Sequence, residues 1–313
     1  MIETIKNMST HATSHCYKAM GTTIALCVYG SQSTDIIKKT VELISHYEDL
    51  LTVNRNHSEV MEINNASGIK EMQVSSGTYS LIKRAINESH GAFGFNALIG
   101  PVVKLWHIGF PDAHVPSDSQ IKEKLSLTNL NDVKMDDCDQ TVFLAKKGME
   151  LDLGGIAKGW IADRIKELWL SYGVTSGVIN LGGNILFVGD SPESSDGNWI
   201  VDIQDPFKQI GSSITTVMTP SCSVVTSGIY RRCFTANNHR YHHIIDPKTG
   251  YPVRTHLLSV TVFTRESIQA EIECKRLLFS GKPIKNWIKS TDHFGAIFVY
   301  TDGHIIYDGL GDD

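Results

Sequence analysis

The sequence predicts an α+β fold in a single domain, with a mainly antiparallel sheet and flanking helices. Strand-like and helix-like segments mix without the regular strand–helix–strand repeat that parallel sheets need. The chain closes with two apolar runs around Asp302-Gly303, a pattern typical of a β-hairpin. In addition, Gly182-Gly183 interrupts the apolar run 177–188. The lack of a strand–helix–strand repeat favours antiparallel pairing.

Hydrophobic periodicity places the individual elements along the chain. The predicted strands are 22–29, two short strands within 126–148 of which the second is 140–145, the interrupted run 177–188, 198–203, two strands 224–230 and 239–245 around a turn, 258–263, and the terminal hairpin. The predicted helices are 35–51, a short helix opening at Ser58-Glu59 and ending at Asn64-Asn65, 78–89, a helical turn after Pro101, a helix within 111–125, one after Gly154-Gly155, and 267–279, which stops at Gly281. Residues 1–15 are polar and are expected to form a loose segment before one domain over 16–313.

Composition and charge exclude several classes of protein. The 313 residues carry a net charge of −5 and no basic tract, which argues against nucleic acid as a partner. No run reaches the roughly 18 apolar residues that a membrane span requires. The N-terminus has no apolar segment of the kind that secretory signals contain, and the six cysteines are scattered without a CxxC pair. A cytoplasmic location is therefore expected.

The stretch 150–164 is the strongest candidate for a ligand site. It predicts a buried strand end, a turn at Gly154-Gly155 and then a helix, and this combination offers backbone N–H groups and a helix N-terminus to an anion. Lys158 lies in the first helical turn, where the helix dipole disfavours a cation unless an anion is bound. An ordinary connection with a solvated lysine is the alternative.

Four further segments contain more glycine and polar residues than packing requires. They are Met20-Gly21-Thr22, Gly94-Phe95-Asn96, the run 226–231 and the run 241–250. The last of these places His242 and His243 beside a predicted turn at 246–250. We interpret His243 as a candidate functional residue, with a structural core histidine hydrogen-bonded to the backbone as the alternative.

Taken together, these motifs resemble the ApbE-type flavin transferase family, the FAD:protein FMN transferases. The matching motifs occur in the family's order and span about residues 16 to 308. They are Met20-Gly21-Thr22, Ser58-Glu59-Val60 followed by Asn64, Phe95-Asn96 leading to Gly100-Pro101 and Leu105-Trp106, Asp152 to Asp163, Leu181-Gly182-Gly183-Asn184, Thr226-Ser227-Gly228 with Tyr230 and Arg232, and Tyr241 to Pro252.

The resemblance implies a reaction and a set of site residues. The family moves FMN from FAD to a threonine hydroxyl of a target flavoprotein, releases AMP and uses magnesium. The residues implied to line the FAD site are Met20, Asn54, Gly94, Phe95, Asn96, Asp152, Lys158 and Ile245. Those implied at the metal are the Gly155 carbonyl and the side chains of Glu271 and Lys275. His243 is the implied base, and Lys158 is expected to assist catalysis.

Two motifs depart from the family pattern. Phe95-Asn96 stands where the family has Phe-Asp, so one negative charge is lost. The metal motif Ala-Asp-x-x-x-Thr is here Ala270-Glu271 followed by Lys275, so an ammonium replaces a hydroxyl oxygen. We therefore expect weakened magnesium affinity. The alternative for Glu271 and Lys275 is a surface ion pair at i,i+4 spacing.

Two other functions remain compatible with these motifs. The first is an FAD pyrophosphatase, which would use water as the acceptor and give FMN and AMP. The second is a non-catalytic flavin-binding protein. AMP release from FAD separates the second from the others, and covalent labelling of an acceptor flavoprotein separates transfer from hydrolysis.

Overall fold

The computed structural model describes residues 12–30, 33–91, 93–290 and 293–310. Its strands are β1 Ala12–Ala19, β2 Thr22–Tyr29, β3 Met72–Gln73, β4 Val133–Asp136, β5 Thr141–Leu144, β6 Gly177–Leu181, β7 Asn184–Val188, β8 Trp199–Gln204, β9 Ser213–Thr219, β10 Ser223–Gly228, β11 Cys233–Ala236, β12 His239–His242, β13 Leu257–Thr264, β14 His293–Tyr300 and β15 Ile305–Asp308. Its α-helices are α1 Ser33–Leu51, α2 Glu59–Asn65, α3 Ser76–His90, α4 Gly100–Trp106, α5 Asp118–Leu125, α6 Ala157–Ser171 and α7 Ser267–Ser280.

The framework is an eight-stranded sheet in the order β1-β2-β6-β7-β10-β13-β14-β15. Every neighbouring pair in it is antiparallel, which confirms the predicted fold class. Three small sheets, β3-β5-β4, β8-β9 and β11-β12, lie outside it. The hairpin at Asp302-Gly303 forms where the sequence predicts it. The interrupted strand predicted at 177–188 is instead the β6–β7 hairpin, which turns at Gly182-Gly183. All three of these glycines adopt positive φ.

The two faces of the sheet bury different partners. Successive strand residues point to opposite faces, so Val225 and Val262 pack with α7 residues, whereas Val224 and Phe263 pack with strand β8. Helices α1, α3 and α6 cover the remaining part of the helical face through a cluster that includes Ile24 and Leu26 of β2. The helices on this face carry Lys158, Glu271 and Lys275, whereas the other candidate site residues lie in turns and loops.

Helices α6 and α7 approach each other unusually closely. A Cβ atom on Gly159 would lie 2.5 Å from the Ser267 carbonyl oxygen, so no side chain fits at this position without backbone movement. Asp163 of α6 accepts hydrogen bonds from the backbone N–H groups of Ser267 at 2.8 Å and Ile268 at 2.9 Å, which caps α7. The starts of the two helices are thereby held together.

Several expectations need correction. The segment expected to be loose, 1–15, overlaps β1 at residues 12–15, which pair with β2; residues 1–11 lie outside the described part of the chain. The strand end predicted at 149–153 is buried but irregular, because the Asn64 side chain satisfies both the N–H and the C=O of Leu151 in place of a neighbouring strand.

The predicted pairing of 224–230 with 239–245 is also wrong. Strand β10 pairs with β7 and β13, whereas β12 pairs with β11, a strand that the sequence analysis missed. The turn between β11 and β12 is formed by Asn237 and Asn238, whose φ angles are +51° and +60°. Asparagine tolerates this region better than most residues do, so the Asn-Asn pair was the missed signal. Strand β9 was missed as well.

In the part of the chain that the structure describes, no helix combines the length and the apolar character needed to cross a membrane.

Candidate functional site

The turn at 154–156 leads directly into α6 and exposes backbone groups. Gly154 N–H donates to Asp152 Oδ1 at 2.8 Å, and Asp152 N–H donates to the Ala97 carbonyl at 2.8 Å. Burial raises the pKa of Asp152. Lys158 follows in the first turn of α6, so an amino group and the positive end of a helix share one surface. These are the groups that the predicted anion site would use.

Glu271 lies at the centre of a buried charge cluster beside this turn. Only 4% of the residue is exposed, and its Oε1 accepts a hydrogen bond from Asn184 Nδ2 at 3.0 Å. Lys158 Nζ lies 3.9 Å from Oε1, and Lys275 Nζ lies 3.3 Å from Oε2. Burial opposes ionisation of Glu271, but the charges of Lys158 and Lys275 and the Asn184 hydrogen bond outweigh it and lower its pKa.

The Lys275 ammonium lies between the Gly155 carbonyl and the Glu271 side chain, two of the groups that the resemblance assigns to a metal. Its ammonium donates to the Gly155 carbonyl, to Glu271 Oε2 and to the Glu271 carbonyl at 3.0 Å. The side chain is 16% exposed, so the pair with Glu271 is not the solvated surface pair considered as an alternative. A Cβ on Gly155 would lie 3.0 Å from Lys275 Cε and 3.1 Å from the Phe95 ring, which shows how tightly the lysine stem is packed.

These residues do not fit a magnesium ion in this arrangement. Magnesium requires an octahedral set of oxygens at roughly 2.0–2.1 Å. The Gly155 carbonyl and Glu271 Oε2 are already bonded to an ammonium, which has no lone pair to offer. Lys158 adds a second positive charge beside Glu271. A divalent cation would have to displace Lys275 before it could use either oxygen.

His243 lies in a different loop, directly after β12. Its backbone N–H donates to the Arg232 carbonyl at 3.1 Å, and its Nδ1 lies 3.4 Å from the same oxygen. Burial, followed by the nearby charge of Arg232, lowers the pKa of His243 to about 4, and the charge of Lys275 acts in the same direction. Its ring borders a small cavity that Trp106 and Ile245 also line.

Met20 and Gly21 form a turn with positive φ angles of +50° and +68° at the edge of an open cavity of about 630 Å³. Met20 N–H donates to Glu48 Oε1 at 3.0 Å, which fixes this turn to α1. The Arg232 guanidinium comes within 4.0 Å of the place where a Cβ on Gly21 would lie. The turn therefore lies close to Arg232, whose carbonyl accepts from the His243 N–H.

The remaining predicted FAD-site residues divide into two groups. Phe95 is buried against Gly155, and Gly94, with a φ of +66°, lets the chain pass directly over Phe279 of α7. Asn96 has its amide engaged by the protein, since Nδ2 donates to the Thr128 carbonyl and Oδ1 accepts from Leu98 N–H.

Asn54 is placed differently, in the exposed loop after α1, where its N–H donates to Thr52 Oγ1 at 3.2 Å. The structure therefore brings Phe95, Gly155, Lys158, Glu271 and Lys275 into one cluster and leaves Asn54 outside it.

Asn184 lies inside the cluster, although its sequence context predicts no role for it. Asn184 is buried, its Oδ1 accepts from Ser267 Oγ at 2.7 Å, and its Nδ2 holds Glu271. A polar residue directly after Gly182-Gly183 in an otherwise apolar run was the available signal. Asp163 was likewise missed as the cap of α7.

Comparison with known proteins gives a consistent result. The model of the ApbE family matches residues 20–298. A curated FAD:protein FMN transferase of Klebsiella pneumoniae is 39% identical over 294 residues, which covers 92% of this chain and 89% of that protein. One from Treponema pallidum is 36% identical over 270 residues, covering 80% and 74%. The crystal structure of the ApbE protein from Thermotoga maritima superposes with a TM-score of 0.84 at 28% identity, covering 95% of this chain and 97% of that one.

Proposed function

The chain belongs to the ApbE family, and from this premise we propose that it transfers FMN from FAD to a threonine hydroxyl of a target flavoprotein and releases AMP. The observation that carries the proposal is the juxtaposition of the 154–156 turn, the α6 N-terminus and Lys158 on one surface. Such a surface suits the pyrophosphate of a dinucleotide better than an uncharged ligand.

The proposed transfer is a single displacement at phosphorus. The acceptor oxygen attacks the phosphorus of the FMN half and forms a new P–O ester bond. The bond from that phosphorus to the bridging oxygen breaks, and its electron pair leaves with the phosphate of AMP. The hydroxyl proton passes to a base. Charge increases on the leaving AMP oxygen, so catalysis depends mainly on positioning and on fixed positive charge.

Lys158 is the residue we assign to the leaving phosphate. It lies 3.9 Å from Glu271 Oε1, beyond hydrogen-bonding distance, and within the described ranges its ammonium has no hydrogen-bond acceptor. Its three N–H donors are therefore available to phosphate oxygens, while Glu271 holds the lysine near the turn. The N-terminal N–H groups of α6 supply further donors.

His243 is the residue we assign to the acceptor hydroxyl. Its lowered pKa keeps the imidazole neutral at pH 7, which is the form that accepts a proton. The Arg232 carbonyl beside Nδ1 favours the tautomer that carries the proton on Nδ1. Nε2 then has a free lone pair for the threonine proton.

The resemblance also implies magnesium, but no step of the proposed transfer passes through a metal ion, because Lys275 holds the oxygens that a metal would need. We place the reaction in the cytoplasm. All six cysteines lie in described segments and are unpaired, and Cys27, Cys222 and Cys274 are buried, which is compatible with a reducing compartment.

The test is incubation with FAD and candidate acceptor flavoproteins. Flavin fluorescence that stays with the acceptor on a denaturing gel, with one AMP released per label, supports transfer. AMP release without labelling in the presence of the natural acceptor would instead identify a pyrophosphatase. FAD binding without any AMP would identify a binding protein.

A further inference from the structure

Hydrogen bonds to the protein fix the position of the Lys275 ammonium in the site. Three oxygens accept its hydrogen bonds, namely the Gly155 carbonyl, Glu271 Oε2 and the Glu271 carbonyl. An ammonium has three N–H donors, so these contacts use all of them. A flexible surface lysine does not show such complete pairing.

The surroundings of Lys275 fit its side chain specifically. The lysine follows Glu271 by four residues on α7, so its stem folds back along its own helix toward the 154–156 turn. Gly155 leaves room for the stem, because a Cβ there would approach Lys275 Cε to 3.0 Å. Phe95 packs against the same glycine, since the same Cβ would lie 3.1 Å from its ring.

The charges of the cluster leave it positive without any ion. Lys158 and Lys275 contribute two positive charges, and Glu271, the acidic side chain that both lysines contact, contributes one negative charge. The remaining Glu271 contact is the neutral amide of Asn184. These three side chains thus sum to one net positive charge beside the turn that we assign to the pyrophosphate, and burial raises the pKa of the Asp152 carboxyl next to that turn.

We propose that Lys275 serves as a built-in cation in place of a divalent metal, so that this chain binds FAD and transfers FMN without magnesium. This inference rests on the proposed function for the transfer step, but its binding component is independent of that function. Lys275 is a positioning residue: its own donors are used within the protein, and it acts by holding the Gly155 turn and Glu271 and by adding fixed charge.

The first measurement uses the wild-type protein alone. FAD affinity, followed by quenching of flavin fluorescence, is expected to be the same in EDTA and in saturating magnesium. Mn²⁺, used as a paramagnetic probe with ADP present, is expected to show no protein-bound signal beyond that of the Mn²⁺–ADP complex. Wild-type FAD affinity that collapses in EDTA and returns with magnesium would overturn the proposal.

The second measurement uses Lys275→Thr, which supplies a neutral oxygen in place of the ammonium. FAD affinity in EDTA should fall by about tenfold or more, as expected for loss of a charged contact. Magnesium should restore affinity in this variant and Mn²⁺ should bind to it. A variant that binds FAD as tightly as wild type in EDTA would contradict the proposal.

The matched control is Lys282→Thr, which removes an exposed lysine from the loop after α7 and should behave as wild type. If Lys275→Thr does not fold, the wild-type comparison in EDTA and magnesium still decides the question. Failure of the proposed function would appear differently, as metal-independent FAD binding without labelling of any acceptor. AMP release that requires magnesium in the wild-type protein would overturn the inference and leave the function intact.

Discussion

His243 illustrates how one residue's surroundings set its chemistry. The imidazole is enclosed by the loop that carries Arg232 and by Trp106 and Ile245, so its charged form is disfavoured. A single histidine that a sequence pattern singles out is more often structural than catalytic. The neighbouring His242 is such a structural histidine. Its Nε2 lies 2.9 Å from the Val253 carbonyl and its Nδ1 accepts from Ile244 N–H, so neither nitrogen is available to a ligand.

We expect His243→Ala to retain FAD binding and to lose most transfer to the acceptor. A general base contributes about 10²–10⁴-fold to the rate, which is the size of the expected loss. The measurement is the rate of covalent acceptor labelling, with FAD affinity determined in parallel. The control is His239→Ala, because His239 is exposed on β12. Labelling by His243→Ala at nearly the wild-type rate would make His243 a structural residue.

The lowered pKa of His243 predicts an unusual pH dependence. A base with a pKa of about 4 stays neutral above that pH, so transfer should be constant from about pH 5.5 to 8 and should fall by half near pH 4. The free energy of unfolding should also decrease as the pH falls. The unfolded histidine, with a pKa near 6.5, binds its proton first as the pH falls, so its contribution to stability declines between pH 6.5 and 4. A half-maximal rate near pH 6.5 would show that His243 is not held in this way.

The geometry of the charge cluster depends on the close contact between helices α6 and α7. Gly159 permits the close backbone contact, and Asp163 caps the first N–H groups of α7. Burial raises the pKa of Asp163 to about 6, so the carboxylate is still mostly ionised at pH 7. Since Lys158 lies on α6 and Glu271 on α7, any increase in the distance between the two helices also separates the two charges.

We expect Asp163→Ala to destabilise the fold by about 1–3 kcal/mol, because it removes a helix cap and leaves two backbone donors without their acceptor. The measurement is the midpoint of urea unfolding at pH 7. Asp35→Ala is the matched control, since it removes an exposed aspartate from the first turn of α1 and should cost only a few tenths of a kcal/mol. Equal effects of the two substitutions would rule out the capping role.

Elements with strong local signals were predictable, whereas those that depend on distant partners were not. Strand β2, the α7 stop at Gly281 and the terminal hairpin follow from periodicity and glycine turns. The run 149–153 has the apolar pattern of a strand, but its hydrogen bonds go to Asn64, which lies 87 positions away from Leu151. No local pattern contains that information.

The candidate site divides in the same way. The glycine turn and Lys158 follow from a local pattern of strand, turn and helix. The contact between Lys275 and the Gly155 carbonyl joins positions 120 residues apart, so it required the three-dimensional structure. Asn184 was missed because its role depends on Glu271 and Ser267, which lie 87 and 83 positions away in the sequence.

At the scale of the whole protein, we expect the phosphates of FAD to contribute more to binding than its flavin ring. The positive groups surround the 154–156 turn, whereas the open cavity at Met20 has few aromatic side chains. We expect ADP to compete with FAD in a fluorescence titration and to stabilise the protein against heat, as any ligand selective for the folded state does. Riboflavin competing far better than ADP would show that the flavin ring, and not the diphosphate, is the main determinant.

The strand order has a consequence for synthesis on the ribosome. The β1–β2 hairpin is made before the rest of the sheet, but the second neighbour of β2 is β6, and residues 30–176 are synthesised between them. During that time the free edge of β2 exposes an apolar strand, containing Ile24 and Leu26, of the kind that promotes aggregation of incomplete chains. Helix α1 emerges directly after β2 and packs against both β1 and β2 in the finished protein. Helix α1 can therefore cover the apolar face of this hairpin early in synthesis. The free edge of β2 stays unpaired until Gly177–Leu181 has been made.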